Sequence, residues 1–257
     1  AYDFDLMEGS GHISGHYVED PETLESVIDN IAGLLQPEKY QERYGDVDLD
    51  HPLLFAMGDG NHSLATAKSI WEELKPTVGM DHPARYALVE LVNLHDPSLK
   101  FEPIHRVMFN VGEEFRQAML AYYEPDILQN PAATFEDMKD AVLDDTRAGQ
   151  RVGMITPEMY SVINFRDPAH NLAVGTLQEF LDLYLLDHPE ADIDYVHGDD
   201  VLMRLSQEPR NVGFYLPPIP KDNFFKSIIL DGSLPRKTFS MGHAEDKRFY
   251  LEARRIM

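Results

Sequence analysis

The chain has 257 residues, of which 43% are hydrophobic and 26% are charged, and its formal charge at pH 7 is -23. Such a charge opposes binding to nucleic acid and to anionic membranes, and no apolar run approaches the roughly 20 residues that cross a bilayer. The lack of cysteine excludes disulfides and thiolate catalysis and favours a cytoplasmic protein.

The first hundred residues alternate between short strands and helices. Period-two patterns predict strands over residues 2–7 and 13–18, and Asp20-Pro21 begins a helix with an apolar face. The following segments are predicted as a polar connector over 36–51, strands over 53–57 and 85–93, and a helix over 63–74.

The later residues continue this alternation. The patterns predict helices over 113–123, 135–143, 176–186, 199–206 and 221–230, a hairpin of strands 151–156 and 160–165, and strands over 212–216, 237–241 and 249–255. Strands that alternate with helices predict a mixed α/β (α+β) fold, which we divide into two lobes, residues 1–111 and 112–257.

The most polar of the predicted strand-to-helix turns is the segment 58–63, Gly-Asp-Gly-Asn-His-Ser. Gly60 permits a positive φ and a close backbone approach, and Asn61 or Ser63 can cap the helix. The unpaired amides and the dipole at a helix start favour an anion such as phosphate. His62 can donate to a phosphate oxygen or act as an acid or base, and Asp59 can hold Mg²⁺, orient His62 or act as a base. A capped helix with Asp59 bonded to its own turn accounts for the same residues.

The charge is unevenly distributed along the chain. From Ser233 onward six basic residues stand against three acidic ones, so the tail is basic while the rest is strongly acidic. These cations serve either an internal salt-bridge surface or an anion site. In the second case Lys237, at the start of the predicted strand 237–241, is expected within about 10 Å of His62.

Histidines and acids suggest a second chemistry. A zinc or manganese hydrolase would draw its ligands from Asp59, His62, His105 and His197, but no HExxH or similar close pair supports it, so no residue is assigned as a metal ligand. Neither a G-x-S-x-G nor a Walker A sequence occurs, which leaves serine-hydrolase and P-loop mechanisms without support.

Several segments together resemble the DUF1015 family of uncharacterised bacterial and archaeal proteins. The turn at Asp59 resembles the family's Asp-Gly-His-His-Arg signature, and similar segments are YDFDLM, GHISGHYVED, YALVELVNLHDPSLKFEPIHRVMFN, DYVHGDD, VGFYLPPIP and LPRKTF. The resemblance covers most of the chain in order. Family chains are usually longer at the N-terminus, which implies that a region before Ala1 is missing.

More distantly, the turn is similar to that of the ParB and sulfiredoxin-like superfamily, whose members hold a nucleotide phosphate at a helix N-terminus. The resemblance implies a ParB-like core in lobe 1–111. It also implies catalytic roles for Asp59, His62 and His105, and phosphate or cofactor contacts from Gly60, Asn61, Ser63, Arg106, Lys237 and Thr238. Asn61 and Ser63 stand where the family has His and Arg, which weakens a phosphotransferase role unless Arg106 replaces the missing Arg.

The sequence thus predicts a nucleotide- or phosphometabolite-binding protein, with phosphoryl transfer or nucleotide hydrolysis as its catalytic form. A nucleotide with Mg²⁺ is the expected cofactor. The expected partners are a small phosphorylated molecule and a second copy of the chain in a homodimer. A non-catalytic regulatory module that responds to its ligand, and the metal-dependent hydrolase, are the alternatives.

Overall fold

A computed structural model describes residues 1–58, 60–146, 148–241 and 251–256. Asp59 lies outside the described residues, as do Lys247 and Arg248 of the basic tail and the first two residues of the expected strand 249–255. The described part of that strand, 251–255, has no regular secondary structure.

The described residues form eight α-helices and ten strands, which confirms the mixed α/β class. The helices are α1 (Pro21–Gly33), α2 (Pro37–Tyr44), α3 (Asn61–Val78), α4 (Phe115–Tyr123), α5 (Phe135–Leu143), α6 (Ala173–Asp187), α7 (Asp199–Ser206) and α8 (Lys221–Asp231). The strands are β1 (Tyr2–Asp5), β2 (His12–Gly15), β3 (Phe101–Pro103), β4 (His105–Phe109), β5 (Ile127–Ala132), β6 (Gln150–Ile155), β7 (Tyr160–Phe165), β8 (Asp192–Val196), β9 (Val212–Tyr215) and β10 (Phe239–Met241).

The chain divides into two compact units. The first consists of residues 1–100 together with the C-terminal residues from Met241, and the second spans Phe101–Ser240. In the first unit β1 and β2 pair antiparallel, and the Asp20 carboxylate caps α1 by accepting the Thr23 N–H at 2.9 Å. Among its described residues Tyr40 alone is a buried hydrophobic side chain, so this unit has little apolar core.

Three sequence expectations fail in the first unit. Residues 36–51, expected as a connector, contain α2, which starts at Pro37 and buries Tyr40; the Tyr40 hydroxyl accepts the Leu53 N–H at 2.8 Å. The expected strands 53–57 and 85–93 are absent from the described secondary structure. Tyr86 has an extended backbone, but a strand also needs a hydrogen-bonded neighbour, and an apolar pattern cannot supply one.

The second unit is built on a six-stranded antiparallel sheet with the order β5-β7-β6-β9-β4-β8. The expected hairpin is confirmed as β6 and β7, which pair Val152 with Ile163. Side chains from α5 and α7 pack with one face of the sheet in a core of Val107, Met138, Val142, Ile155, Val162, Val196, Leu202 and Tyr215.

The opposite face of the sheet meets α4 and α6. Phe115 of α4 lies 5.6 Å from Phe180 of α6 and 6.1 Å from Phe214 of β9, measured between ring centroids. Because successive strand residues point to opposite faces, His105 and Val107 of β4 share the α5 and α7 side, whereas Arg106 points toward α6. The sheet therefore separates two motif residues that are adjacent in the sequence.

Candidate functional site

The turn before α3 confirms the positive φ at Gly60, but the expected cap is wrong, because Asn61 and Ser63 lie inside the helix and Gly60 is its N-cap residue. Gly60 is the N-cap residue and lies in the left-handed region with φ 78° and ψ 20°, so the predicted positive φ is confirmed. The first helical hydrogen bond runs from the Leu64 N–H to the Gly60 carbonyl at 3.0 Å. The amides of Asn61, His62 and Ser63 precede it and therefore have no carbonyl acceptor within the helix.

The surroundings of this turn suit an anion. The side chains of Asn61, His62 and Ser63 are exposed, and the first turn of α3 contains no acidic residue. A Cβ placed on Gly60 would meet no described atom within 4 Å, so the backbone there is open to approach. Asp59, the expected acid or metal ligand of this turn, is outside the described residues.

The structure places His105 in a different environment, at the start of β4 in the second unit. Its side chain is 2% exposed, and Nδ1 accepts the Leu216 N–H at 3.1 Å. The proton of the neutral ring is thereby fixed on Nε2, which lies 3.5 Å from Asp199 Oδ1. Burial lowers the pKa of His105 to about 4 although Asp199 acts in the opposite direction, so the ring is neutral at pH 7.

Asp199 connects His105 to a lysine that the sequence did not indicate. Its second oxygen, Oδ2, lies 2.5 Å from the Lys139 ammonium, and the His105 ring stacks on Tyr215 at 4.8 Å between centroids. The hydrogen bond to Asp199 raises the pKa of Lys139. The expectation that Asp199 sits at a helix start is correct, because it is the first residue of α7. The contacts from Leu216, the residue after β9, through His105 and Asp199 to Lys139 link the end of β9 with β4, α7 and α5. No short-range pattern could have shown them, because Lys139 and Asp199 are 60 residues apart.

Arg106 is fully buried, and protein oxygens surround its guanidinium. Nε donates to Gln178 Oε1 at 3.1 Å, and Nη1 donates to the carbonyls of Ile104 at 2.5 Å and Lys237 at 2.8 Å. Nη2 donates to the Arg236 carbonyl at 3.2 Å. Burial lowers the pKa of Arg106 to about 10, which leaves it charged at pH 7. The structure thus joins the PIHRV and LPRKTF segments, although these donors point to the protein itself.

The residues 235–238, called the basic turn below, precede β10. Lys237 is exposed and has a φ of 55°, while Thr238 is buried and its Oγ1 donates to the Pro235 carbonyl at 2.5 Å. The Arg236 side chain is fixed, since Nε donates to the Tyr195 hydroxyl at 2.7 Å. Both motif residues, Lys237 and Thr238, lie in the turn ahead of the strand.

The structure distributes the expected site residues over both units. Gly60, Asn61, His62 and Ser63 belong to the first, and His105, Arg106, Lys237 and Thr238 to the second. The expected approach of Lys237 to His62 stays a prediction.

Within the described residues, no group of three or more histidine, aspartate or glutamate side chains could hold a metal ion. His197, from the expected ligand set, pairs with Glu102 at 2.9 Å. No α-helix in the described part of the chain has the length and apolar character needed to span a membrane.

Comparisons with known proteins bear on the family. Residues 1–184 match the family described as Protein of unknown function (DUF1015). No curated protein matches the chain, and no solved structure matches it either. The similarity to the ParB and sulfiredoxin-like fold stays a prediction.

Proposed function

Because the chain belongs to the DUF1015 family, whose description gives no activity, its function has to be argued from its own residues, and we propose that it is a nucleotide- or phosphometabolite-binding protein. The phosphate is bound at the start of α3, by the amides of Asn61, His62 and Ser63. The left-handed Gly60 carries this proposal, because it turns the chain into an 18-residue helix whose first amides have no helical acceptor.

Three features of the turn support the proposal. Gly60 leaves room for a phosphate to approach the backbone, and the first turn of α3 adds no negative charge. The dipole of a helix this long places partial positive charge at the same point. Local attraction of this kind is needed in a chain with a formal charge of -23.

Phosphoryl transfer or nucleotide hydrolysis, with Mg²⁺ held by the nucleotide, is the second part of the proposal. The exposed His62, second residue of α3, supports it, since an imidazole beside a bound phosphate can move a proton or donate a hydrogen bond. His105 is a weaker candidate for acid catalysis, because its ring is buried and neutral at pH 7. The cysteine-free sequence further supports a cytoplasmic location.

The experiment pairs a binding assay with two glycine variants. Thermal-shift titrations with ATP, CTP and inorganic pyrophosphate, with and without Mg²⁺, should raise the melting temperature, because a ligand of the native state stabilises it by RT ln(1 + [L]/Kd). Gly60→Val should reduce this rise, since valine at a φ of 78° is strained by roughly 1–3 kcal/mol and its side chain blocks the backbone.

Gly79→Val is the matched control. Gly79 lies at the other end of α3 with a φ of 77° and a ψ of 172° and has open space around it, so valine is strained there at least as strongly as at Gly60 without reaching the turn. An equal reduction of the ligand-induced rise in both variants, or a reduction in neither, would contradict the proposal. Release of phosphate from a bound nucleotide then separates an enzyme from a regulatory module.

A further inference from the structure

The basic turn, residues 235–238, has an arrangement of peptide groups that the proposed function does not use. The carbonyls of Arg236 and Lys237 both accept hydrogen bonds from the Arg106 guanidinium, at 3.2 and 2.8 Å. In a planar trans peptide the N–H points opposite to the C=O. The amides of Lys237 and Thr238 therefore both point away from Arg106.

Two successive amides on one side of the chain form a concave anion-binding feature. An ordinary strand would alternate their directions, whereas the φ of 55° at Lys237 turns both peptides the same way. A lysine in this region is strained, and such strain persists only where the surroundings impose it. Here the buried Arg106 imposes the strained conformation, because its guanidinium holds the carbonyls of both Arg236 and Lys237.

The charges around the basic turn favour an anion. Lys237 is exposed, and its ammonium forms no ion pair with any of the described residues. The nearby carboxylate of Asp182 is engaged already, because it accepts from Gln178 at 2.8 Å and lies 4.0 Å from Arg236. Neither of the two amides donates to another described residue. The Thr238 hydroxyl donates within the turn, which leaves the amides and the ammonium as the donors.

We propose that the basic turn binds the phosphoryl group of a small metabolite through the amides of Lys237 and Thr238 and the Lys237 ammonium. Arg106, which the sequence suggested as a phosphate ligand, is a positioning residue that acts through the turn. The site goes beyond the proposed function, because all of its residues belong to the second unit.

A titration with inorganic phosphate tests the site directly. In isotope-labelled protein, the amide resonances of Lys237 and Thr238 should shift and saturate as phosphate is added, while an equal concentration of chloride should leave them in place. If phosphate moves the amides of 60–63 and not these two, the inference is wrong and the proposed function still stands.

Variants of Lys237 test the contribution of the ammonium. Lys237→Ala should weaken phosphate binding roughly fivefold, which is the loss of one exposed charge-assisted contact. Lys237→Gly should weaken it as much, although glycine adopts the turn without strain, so that a collapsed turn is not the cause. Lys226→Ala, which removes an exposed lysine of α8, should leave the affinity unchanged. Equal losses in all three variants would overturn the role of Lys237.

Arg106→Lys tests the positioning role. Lysine keeps the charge but lacks the planar fork that holds two carbonyls at once, so the phosphate-induced shifts of Lys237 and Thr238 should disappear while other resonances of the second unit stay dispersed. Wild-type shifts in this variant would overturn the positioning role. If the variant does not fold, the two Lys237 variants decide the inference. In Gly60→Val the shifts at the basic turn should persist, and their loss would contradict a site made by the second unit alone.

Discussion

Two neighbouring residues of β4 show how burial acts on different ionisable groups. Burial lowers the pKa of both His105 and Arg106, to about 4 and about 10. Since their ordinary values differ so widely, the same effect leaves the imidazole neutral and the guanidinium charged at pH 7. One face of β4 thus carries a neutral ring beside a carboxylate, and the other carries a permanent cation held by carbonyl dipoles.

The depressed pKa of His105 makes the stability of the second unit depend on pH. As the pH falls below 6.5, the unfolded ring gains a proton while the folded ring stays neutral until about pH 4. The unfolded state binds more protons in this window, so the free energy of unfolding falls as the pH falls. Between pH 7.5 and pH 5 we expect a loss of roughly 2 kcal/mol from this residue.

Urea denaturation followed by far-ultraviolet circular dichroism at both pH values measures this loss. His105→Gln keeps an acceptor for the Leu216 N–H and should lose this part of the pH dependence. His170→Gln removes a more exposed imidazole and should keep it. The same pH dependence in His105→Gln and wild type would show that another group is responsible.

Part of this arrangement is predictable from the sequence, because successive side chains of a strand point to opposite faces of the sheet. Applied to PIHRV, this alternation separates His105 from Arg106 across the sheet once the segment is recognised as a strand. The left-handed Lys237 was not predictable, because lysine has no preference for a positive φ. The guanidinium of Arg106, about 130 residues earlier in the chain, donates to the carbonyls of Arg236 and Lys237, and no local pattern announces these contacts.

At the scale of elements, the contact of α7 with β9 depends on a glycine. A Cβ on Gly213 would clash with the Ser206 Oγ and come within 3.0 Å of Leu202 Cδ1, both on α7. Gly213→Ala should therefore push α7 from the sheet and destabilise the protein by roughly 1–3 kcal/mol. Chemical denaturation measures the change. Gly33→Ala, at the end of α1 where a Cβ meets no described atom, serves as the control and should be neutral or slightly stabilising. A neutral Gly213→Ala would show that α7 is free to shift.

Elements with strong periodicity and short-range partners were predictable from the sequence. The β6–β7 hairpin and α5, with its Thr134 cap, follow from local pattern and turn chemistry. The failures have two causes: an apolar run such as 85–93 becomes a strand only through a distant partner, and α2, with few apolar residues, gives a weak helical pattern. The Gly60 turn is a local pattern and could be recognised from the sequence, whereas Lys139 and Asp199 are 60 residues apart and form a pair only in the folded structure.

At the scale of the whole molecule, buried apolar side chains are concentrated in one of the two units. All of the buried hydrophobic residues in the described part of the chain except Tyr40 belong to Phe101–Ser240. Because hydrophobic burial is the main stabilising contribution, the first unit should open at a lower free energy than the second.

The family match ends within α6, so β8 and β9, which complete the sheet, lie beyond it.

Native-state hydrogen exchange measured by mass spectrometry tests this difference. Peptides from β6, β7 and β9 should exchange slowest, and peptides from residues 1–100 should exchange at lower opening free energies. Trp71, the only tryptophan of the chain, gives an independent signal, because its fluorescence should change at a lower urea concentration than the circular dichroism. Coincident transitions with uniform protection would indicate one cooperative unit instead.

The sheet order also determines when this protein can fold during its synthesis. In the sheet β9 lies between β6 and β4, although it is made last of the three, and β4 has its other partner in β8. A ribosome that adds about 5–20 residues per second needs roughly 5–20 s to make the 100 or so residues between β4 and β9. The hairpin of β6 and β7 can close in that interval, but β4 has to wait with Val107 and Met108 exposed to water. The nascent chain is therefore most open to chaperones and to aggregation just before its final strands emerge.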